Sequence, residues 1–123
     1  MTDLVHDGIT KEIIGAAFEV HSSLGSGFLE RVYQKAMQAE LLGRKLKVSI
    51  EHPIRVKYKG IVVGDYFADL LVEDLVLVEL KIAEKYNKQD EPQLLNQLKA
   101  TNMKVGLLIN FGLTKVEFKR FIF

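Results

Sequence analysis

Cysteine is absent from the sequence. That excludes a disulfide framework and any thiolate metal site, and it suits a reducing cytoplasm. Long apolar runs are absent too: none approaches the roughly 18 residues that a helix needs to cross a bilayer, so no membrane partner is expected. The opening Met1-Thr2-Asp3-Leu4-Val5-His6-Asp7 carries acid and no basic cluster, which is not the pattern of a signal peptide. There is no internal repeat, low-complexity tract or Pro/Ser-rich linker. Neither sign of charge dominates. Seventeen Lys/Arg stand against 16 Asp/Glu, a formal net charge of +1, which excludes a strongly basic nucleic-acid binder. Residues 90–123 depart mildly from that balance, with five basic residues against three acidic, and are the best source of phosphate-contacting charge.

What is present has the balance of a soluble globule. The 123 residues, 48% apolar and 27% charged, suffice for a single domain, expected to span residues 1–123. Ile9, Ile13, Ala16, Ala17 and Val20 recur at helical spacing and predict a helix over about residues 7–22. Leu24-Gly25-Ser26-Gly27 stops it. Ser26 then reads as the N-cap of a second helix over about residues 28–42, with Leu29, Val32, Tyr33, Ala36 and Met37 as its apolar stripe and Gly43 as its stop. Alternation follows. Val48, Ile50, Ile54, Val56 and Tyr58 predict a strand over 47–58, which Pro53 confines to an edge or a bulge. Lys59-Gly60 reads as a turn, and residues 61–72 and 75–83 as two strands with Glu73-Asp74 at the hairpin tip. Asp90 reads as a helix cap, with Pro92 in the first turn and Gln93 closing a capping box, for a helix reaching about residue 102. Residues 105–109 and 116–121 read as strands. The order ααβββαββ gives an α/β (α+β) fold, a central mixed sheet flanked by helices. Its third helix crosses over so that 105–109 runs parallel to a strand of the meander, and the first two helices bury one sheet face.

Acids stand out in strands this apolar. Asp69 lies in Phe67-Ala68-Asp69-Leu70-Leu71-Val72, and Glu79 and Lys81 lie in Val76-Leu77-Val78-Glu79-Leu80-Lys81-Ile82. Glu79 and Lys81 are two apart, so in a strand they face one side. On spacing alone such a pair is a surface ion pair of small consequence. Leu77, Val78, Leu80 and Ile82 argue against that by filling both faces. A buried carboxylate is costly unless it is paired or binds a metal. Two carboxylates and a lysine suit Mg²⁺ or Mn²⁺, which prefer oxygen ligands and also take a phosphate oxygen. Such an ion polarises the scissile phosphate and lowers the pKa of a water, while Lys81 orients that water or offsets developing charge. Geometry sets a condition. With a strict two-residue loop at Glu73-Asp74, Asp69 pairs with Val78 and faces away from Glu79. A three-residue loop or a bulge brings Asp69 across from Glu79.

The sequence resembles the GxxExxY family of small prokaryotic proteins, within the PD-(D/E)XK nuclease superfamily. The naming motif stands as Gly27-Phe28-Leu29-Glu30-Arg31-Val32-Tyr33. The resemblance continues through Val20-His21, Leu24-Gly25, the segments around Asp69 and Glu79, Gln93 to Thr101, Val105 to Gly112, and Lys119-Arg120. It implies a restriction-endonuclease-like fold. It also implies that Asp69 and Glu79 hold the metal, with the Leu80 carbonyl as a further ligand, and that Lys81 is catalytic. Glu30 would complete the site and Gln93 would line it. Many relatives have Tyr where this chain has Gln97.

The resemblance thus points to a metal-dependent nuclease, using Mg²⁺ or Mn²⁺ to hydrolyse phosphodiester bonds in DNA or RNA. It would be cytoplasmic, working as a homodimer or with a partner protein. The competing reading is a catalytically weak or inactive module that binds nucleic acid or protein. Gly27, Glu30 and Tyr33 read as neighbours on one helix, Gly27 allowing close approach to the sheet. His21 reads as structural or as a support or nucleotide contact of the site, Asn110-Phe111-Gly112 as a turn, and Tyr86-Asn87-Lys88-Gln89 as a mobile loop near the mouth of the site. Lys119 and Arg120 read as phosphate contacts or as inert surface charge.

Overall fold

The computed structural model describes residues 5–123. Residues 1–4 lie outside the described residues, and with them the start of the segment read as lacking a signal peptide and of the expected domain. The chain forms α1 (Asp7–Leu24), α2 (Glu30–Gly43), β1 (Val48–Tyr58), β2 (Ile61–Val72), β3 (Val76–Lys81), α3 (Glu91–Thr101), β4 (Val105–Phe111) and β5 (Val116–Ile122). A short 3₁₀ turn, Lys88–Asp90, leads into α3. The strands lie side by side in chain order. β3 and β4 are parallel and every other pair is antiparallel. The order ααβββαββ and the mixed sheet are those expected, with α3 as the crossover.

Each sheet face has its own core. On one, Ile13, Ala16, Ala17 and Val20 of α1 and Tyr33, Met37 and Leu41 of α2 pack on Leu70, Val78, Leu80, Leu107 and Ile109. On the other, Leu94 and Leu98 of α3 pack on Leu71, Leu77 and Leu108. β3 and β4 are covered on both sides, which is why their sequences run continuously apolar.

Four local readings need correction. Ser26 caps nothing: α2 starts at Glu30, and Leu29 precedes it without a side-chain cap. Gly25 and Gly27 instead hold positive φ angles of 71° and 103°, which bend the chain into the helix. Gly27 lies outside the helix with open space around it, so conformation and not close packing calls for glycine there. Asp90 precedes α3 in a helical conformation without a side-chain cap bond, so no capping box forms; the 3₁₀ turn has already begun the spiral. Asn110 and Phe111 belong to β4 and are buried. The Asn110 amide serves both backbone groups of Ala83, accepting from its N–H and donating to its carbonyl, each at 2.9 Å.

Candidate active site

The site begins with the β2–β3 connection. The ladder joins Val72 to Val76 and Leu70 to Val78, so Glu73-Asp74-Leu75 form a three-residue loop. Glu73 and Asp74 adopt positive φ angles of 54° and 57°. The chain before β1 clamps them: Lys47 N–H donates to the Glu73 carboxylate at 2.6 Å, and Lys47 Nζ meets Asp74 at 2.6 Å. One step beyond Leu70 and Val78, this register sets Asp69 opposite Glu79.

Asp69 also sits where β2 turns over. Leu70 and Val72 pack on the α1/α2 side, whereas Ala68 packs on the α3 side. Strict alternation would put all three on one face. β1 turns at the matching point. Its pairing with β2 skips Glu51 and Asp69, Glu51 takes a φ of 51°, and Ile50 and Ile54 pack on opposite sides. The outer part of the hairpin therefore curls away at Asp69, and side chains take over the backbone's bonds. Gln34 Nε2 of α2 donates to the Asp69 carbonyl at 3.0 Å, and Leu80 N–H donates to the Asp69 carboxylate at 2.7 Å.

The two carboxyls act on each other. Glu79 is 4% exposed, its Oε1 has no hydrogen-bond partner, and its carboxyl lies near enough to that of Asp69 for each to shift the other's pKa. Burial first, and the Asp69 charge second, push Glu79 up to about 8. Lys81 and the Asp69 backbone N–H oppose that rise. Burial raises Asp69 as well, against the Leu80 N–H bond and the charge of Lys81. Glu30, at the start of α2, is raised by burial and then by Asp69, with Lys81 opposing. Glu30, Gln34, Phe67 and Asp69 line one cleft of about 340 Å³. Asp69 and Lys81 thus act electrostatically on both Glu79 and Glu30. Among the described residues, no three His, Cys, Asp or Glu gather tightly enough to hold a metal ion. The unpartnered Glu79 oxygen beside a second carboxyl still fits a hard cation, which takes oxygen ligands and completes its shell with waters.

Gln93 and Gln97 divide unequally. Gln97 is buried against Glu79 and lowers its pKa, while Gln93 is exposed in a second cleft. The Gln97 approach falls short of a well-formed hydrogen bond, since both of its amide atoms lack a partner. Gln34 was not singled out in the sequence. Its only local signal is its place one residue beyond Tyr33, on the buried side of α2. His21 is structural: its Nε2 donates to the Gly112 carbonyl at 2.8 Å and its ring stacks near Phe111. Tyr33 donates to the Gly25 carbonyl at 2.6 Å and stacks on Phe111 at 4.6 Å, which holds the start of α2, and hence Glu30, to the sheet. Tyr86 is pinned, its hydroxyl to Glu91 at 2.8 Å and its N–H to Glu117 at 2.9 Å. Lys119 pairs with Glu91 at 3.4 Å.

A mixed five-stranded sheet with helices on both faces, carrying an acid pair on adjacent strands beside a lysine, defines a restriction-endonuclease-like fold. The chain belongs to the PD-(D/E)XK nuclease superfamily, whose model matches residues 7–121. No curated protein matches it. Among solved structures it is similar to the crystal structure of SSO0001, with a TM-score of 0.57 and 14% identity. The match covers 95% of this chain and 59% of the other, so this chain spans little more than half of that protein, and the likeness shows the fold alone. No helix among the described residues is long and apolar enough to cross a membrane.

Proposed function

We propose that this chain is a metal-dependent phosphodiesterase acting on DNA or RNA. The observation that carries the reading is the orphaned, buried Glu79 Oε1 on the strand beside Asp69, with each acid raising or lowering the other and Lys81 acting on both. Asp69, Glu79 and the Leu80 carbonyl would hold Mg²⁺ or Mn²⁺. When bound, that ion supplies polarisation of a phosphate oxygen and a water of lowered pKa. Lys81 offsets charge on the reacting phosphate or orients the attacking water. Glu30 faces the same cleft and positions water beside Asp69. Gln97 orients the Glu79 carboxyl, and Gln93, exposed in the second cleft, contacts substrate.

The finer family is the GxxExxY group. The bend at Gly25 and Gly27, the tie from Tyr33 to Gly25 and the placement of Glu30 give its motif a physical use. The single-domain, cytoplasmic reading goes with it, as does assembly as a homodimer or with a partner protein. A second reading, a binding module with little or no catalysis, is favoured by the Glu79 pKa of about 8, which leaves the metal-free site short of charge at neutral pH.

The test is incubation of the purified chain with single- and double-stranded DNA and RNA in Mg²⁺ or Mn²⁺. Cleavage lost in Lys81→Ala supports the phosphodiesterase. No cleavage above that control on any substrate, with gel-shift binding retained, supports the binding module.

A further inference from the structure

A second cleft, of about 800 Å³, lies between α3 and the outer part of the β1–β2 hairpin. It owes its existence to the turnover at Asp69, which curls the hairpin toward the α3 side. Its walls carry three cations, Arg55 and Lys57 from β1 and Lys99 from α3, and no acid. Arg55 also meets Asp65 at 3.6 Å, both side chains remaining exposed. Tyr66, 52% exposed, stands in the same wall. Gln97 belongs to this lining too, 3% exposed and with both amide atoms unpartnered. Gln97 also abuts Glu79, so the cleft opens beside the acid pair.

We propose that this cleft holds a single-stranded stretch of nucleic acid adjoining the acid pair. The proposal deepens the phosphodiesterase reading and rests on it for the fate of the strand, but not for binding. Sites for single strands combine cations that follow the phosphates with an aromatic face on which a base stacks. Arg55, Lys57 and Lys99 supply the first and Tyr66 the second. A base inside a duplex is already stacked on its neighbours and cannot offer its face to Tyr66, whereas an unpaired one can. The volume fits within the range of about 300–1,000 Å³ usual for ligand sites and suits a short stretch of strand. The near-neutral whole chain is no obstacle, because the charge that matters is local.

The test is fluorescence anisotropy of the full chain in EDTA, with labelled oligothymidylate, oligouridylate and a duplex of equal length. The two single strands separate DNA from RNA. Single strands bind more tightly than duplex. Tyr66→Ala weakens them about tenfold, within the range for one stacked base, and Tyr66→Phe restores binding. The combined change Arg55→Ala, Lys57→Ala and Lys99→Ala lowers the slope of log affinity against log salt by about 2, at ~0.7 per phosphate contact. These side chains are exposed, so thermal melts of the variants stay near that of the parent. Lys57→Glu serves as a second charge variant and weakens binding further. Duplex preferred over single strand, or affinity unchanged in both Tyr66→Ala and the triple variant, overturns the proposal. Cleavage is scored separately in Mn²⁺. Single-strand binding that depends on the cleft, without any cleavage, keeps the cleft and removes the phosphodiesterase. Cleavage with binding indifferent to the cleft variants does the reverse.

Discussion

The Asp69 carboxylate accepts a hydrogen bond from the backbone N–H of Leu80 at 2.7 Å, just past the last ladder pair, Leu70 and Val78. A side chain thus stands in for a strand. The bond fixes Asp69 against the one residue that lies between Glu79 and Lys81, and it leaves the Glu79 carboxyl beside Asp69 in a buried space. The energetic consequence is a strained electrostatic pair, and that strain can be measured.

Stability of the metal-free chain falls as pH rises. Glu79 stands at about 8 when folded, against 4.5 for a free glutamate. A carboxyl raised by folding holds its proton more tightly in the native state, so its contribution is fully present below 4.5 and is lost as pH climbs to about 8. The loss is on the order of a few kcal/mol. Thermal melts in EDTA across that interval show a falling midpoint that levels off at the alkaline end.

Glu79→Gln removes the titration. In EDTA the variant melts above the parent on the alkaline side, and its pH profile flattens. Mn²⁺ raises the melting temperature of the parent, more strongly as pH rises and the acids ionise, and leaves the variant unchanged.

Gln34→Ala strips the Asp69 carbonyl of its donor. An unsatisfied, partly buried acceptor costs about 1–3 kcal/mol. Urea unfolding shows a lowered midpoint with an unchanged m-value. Mn²⁺ affinity falls as well, since Asp69 is less firmly placed.

Most of the fold was legible because period follows burial. Apolar spacing located three helices and five strands, and the continuous apolar run of β3 marked a strand covered on both faces. The condition on the β2–β3 loop was also visible, since side-chain parity makes it arithmetic. What was hidden depended on contacts between distant segments. Asn110 reads locally as a turn residue, but it is buried because Ala83, far away in the chain, needs both of its backbone groups satisfied. Ser26 looked like a cap because nothing local revealed that Gly25 and Gly27 would take positive φ. Gln93 and Gln97 are equivalent in spacing. Only the crossover angle of α3 decides that Gln97 meets Glu79. The turnover at Asp69 has no sequence signature apart from Pro53 nearby.

Gly106→Ala tests how tightly α3 is seated. A Cβ there would meet Leu94 side-chain carbons at 3.0 and 3.2 Å. Leu94 must yield, which costs about 1–3 kcal/mol of overpacking. Denaturant unfolding checks the stability. Because α3 carries Gln97, the shift also loosens Gln97 from Glu79 and moves the pH profile.

The most direct measurement is anomalous scattering from a crystal soaked in Mn²⁺. The account predicts one peak between the carboxyls of Asp69 and Glu79, within reach of the Leu80 carbonyl, and none in crystals of Asp69→Ala. A soaked crystal with no peak there, or a peak that persists in Asp69→Ala, contradicts it.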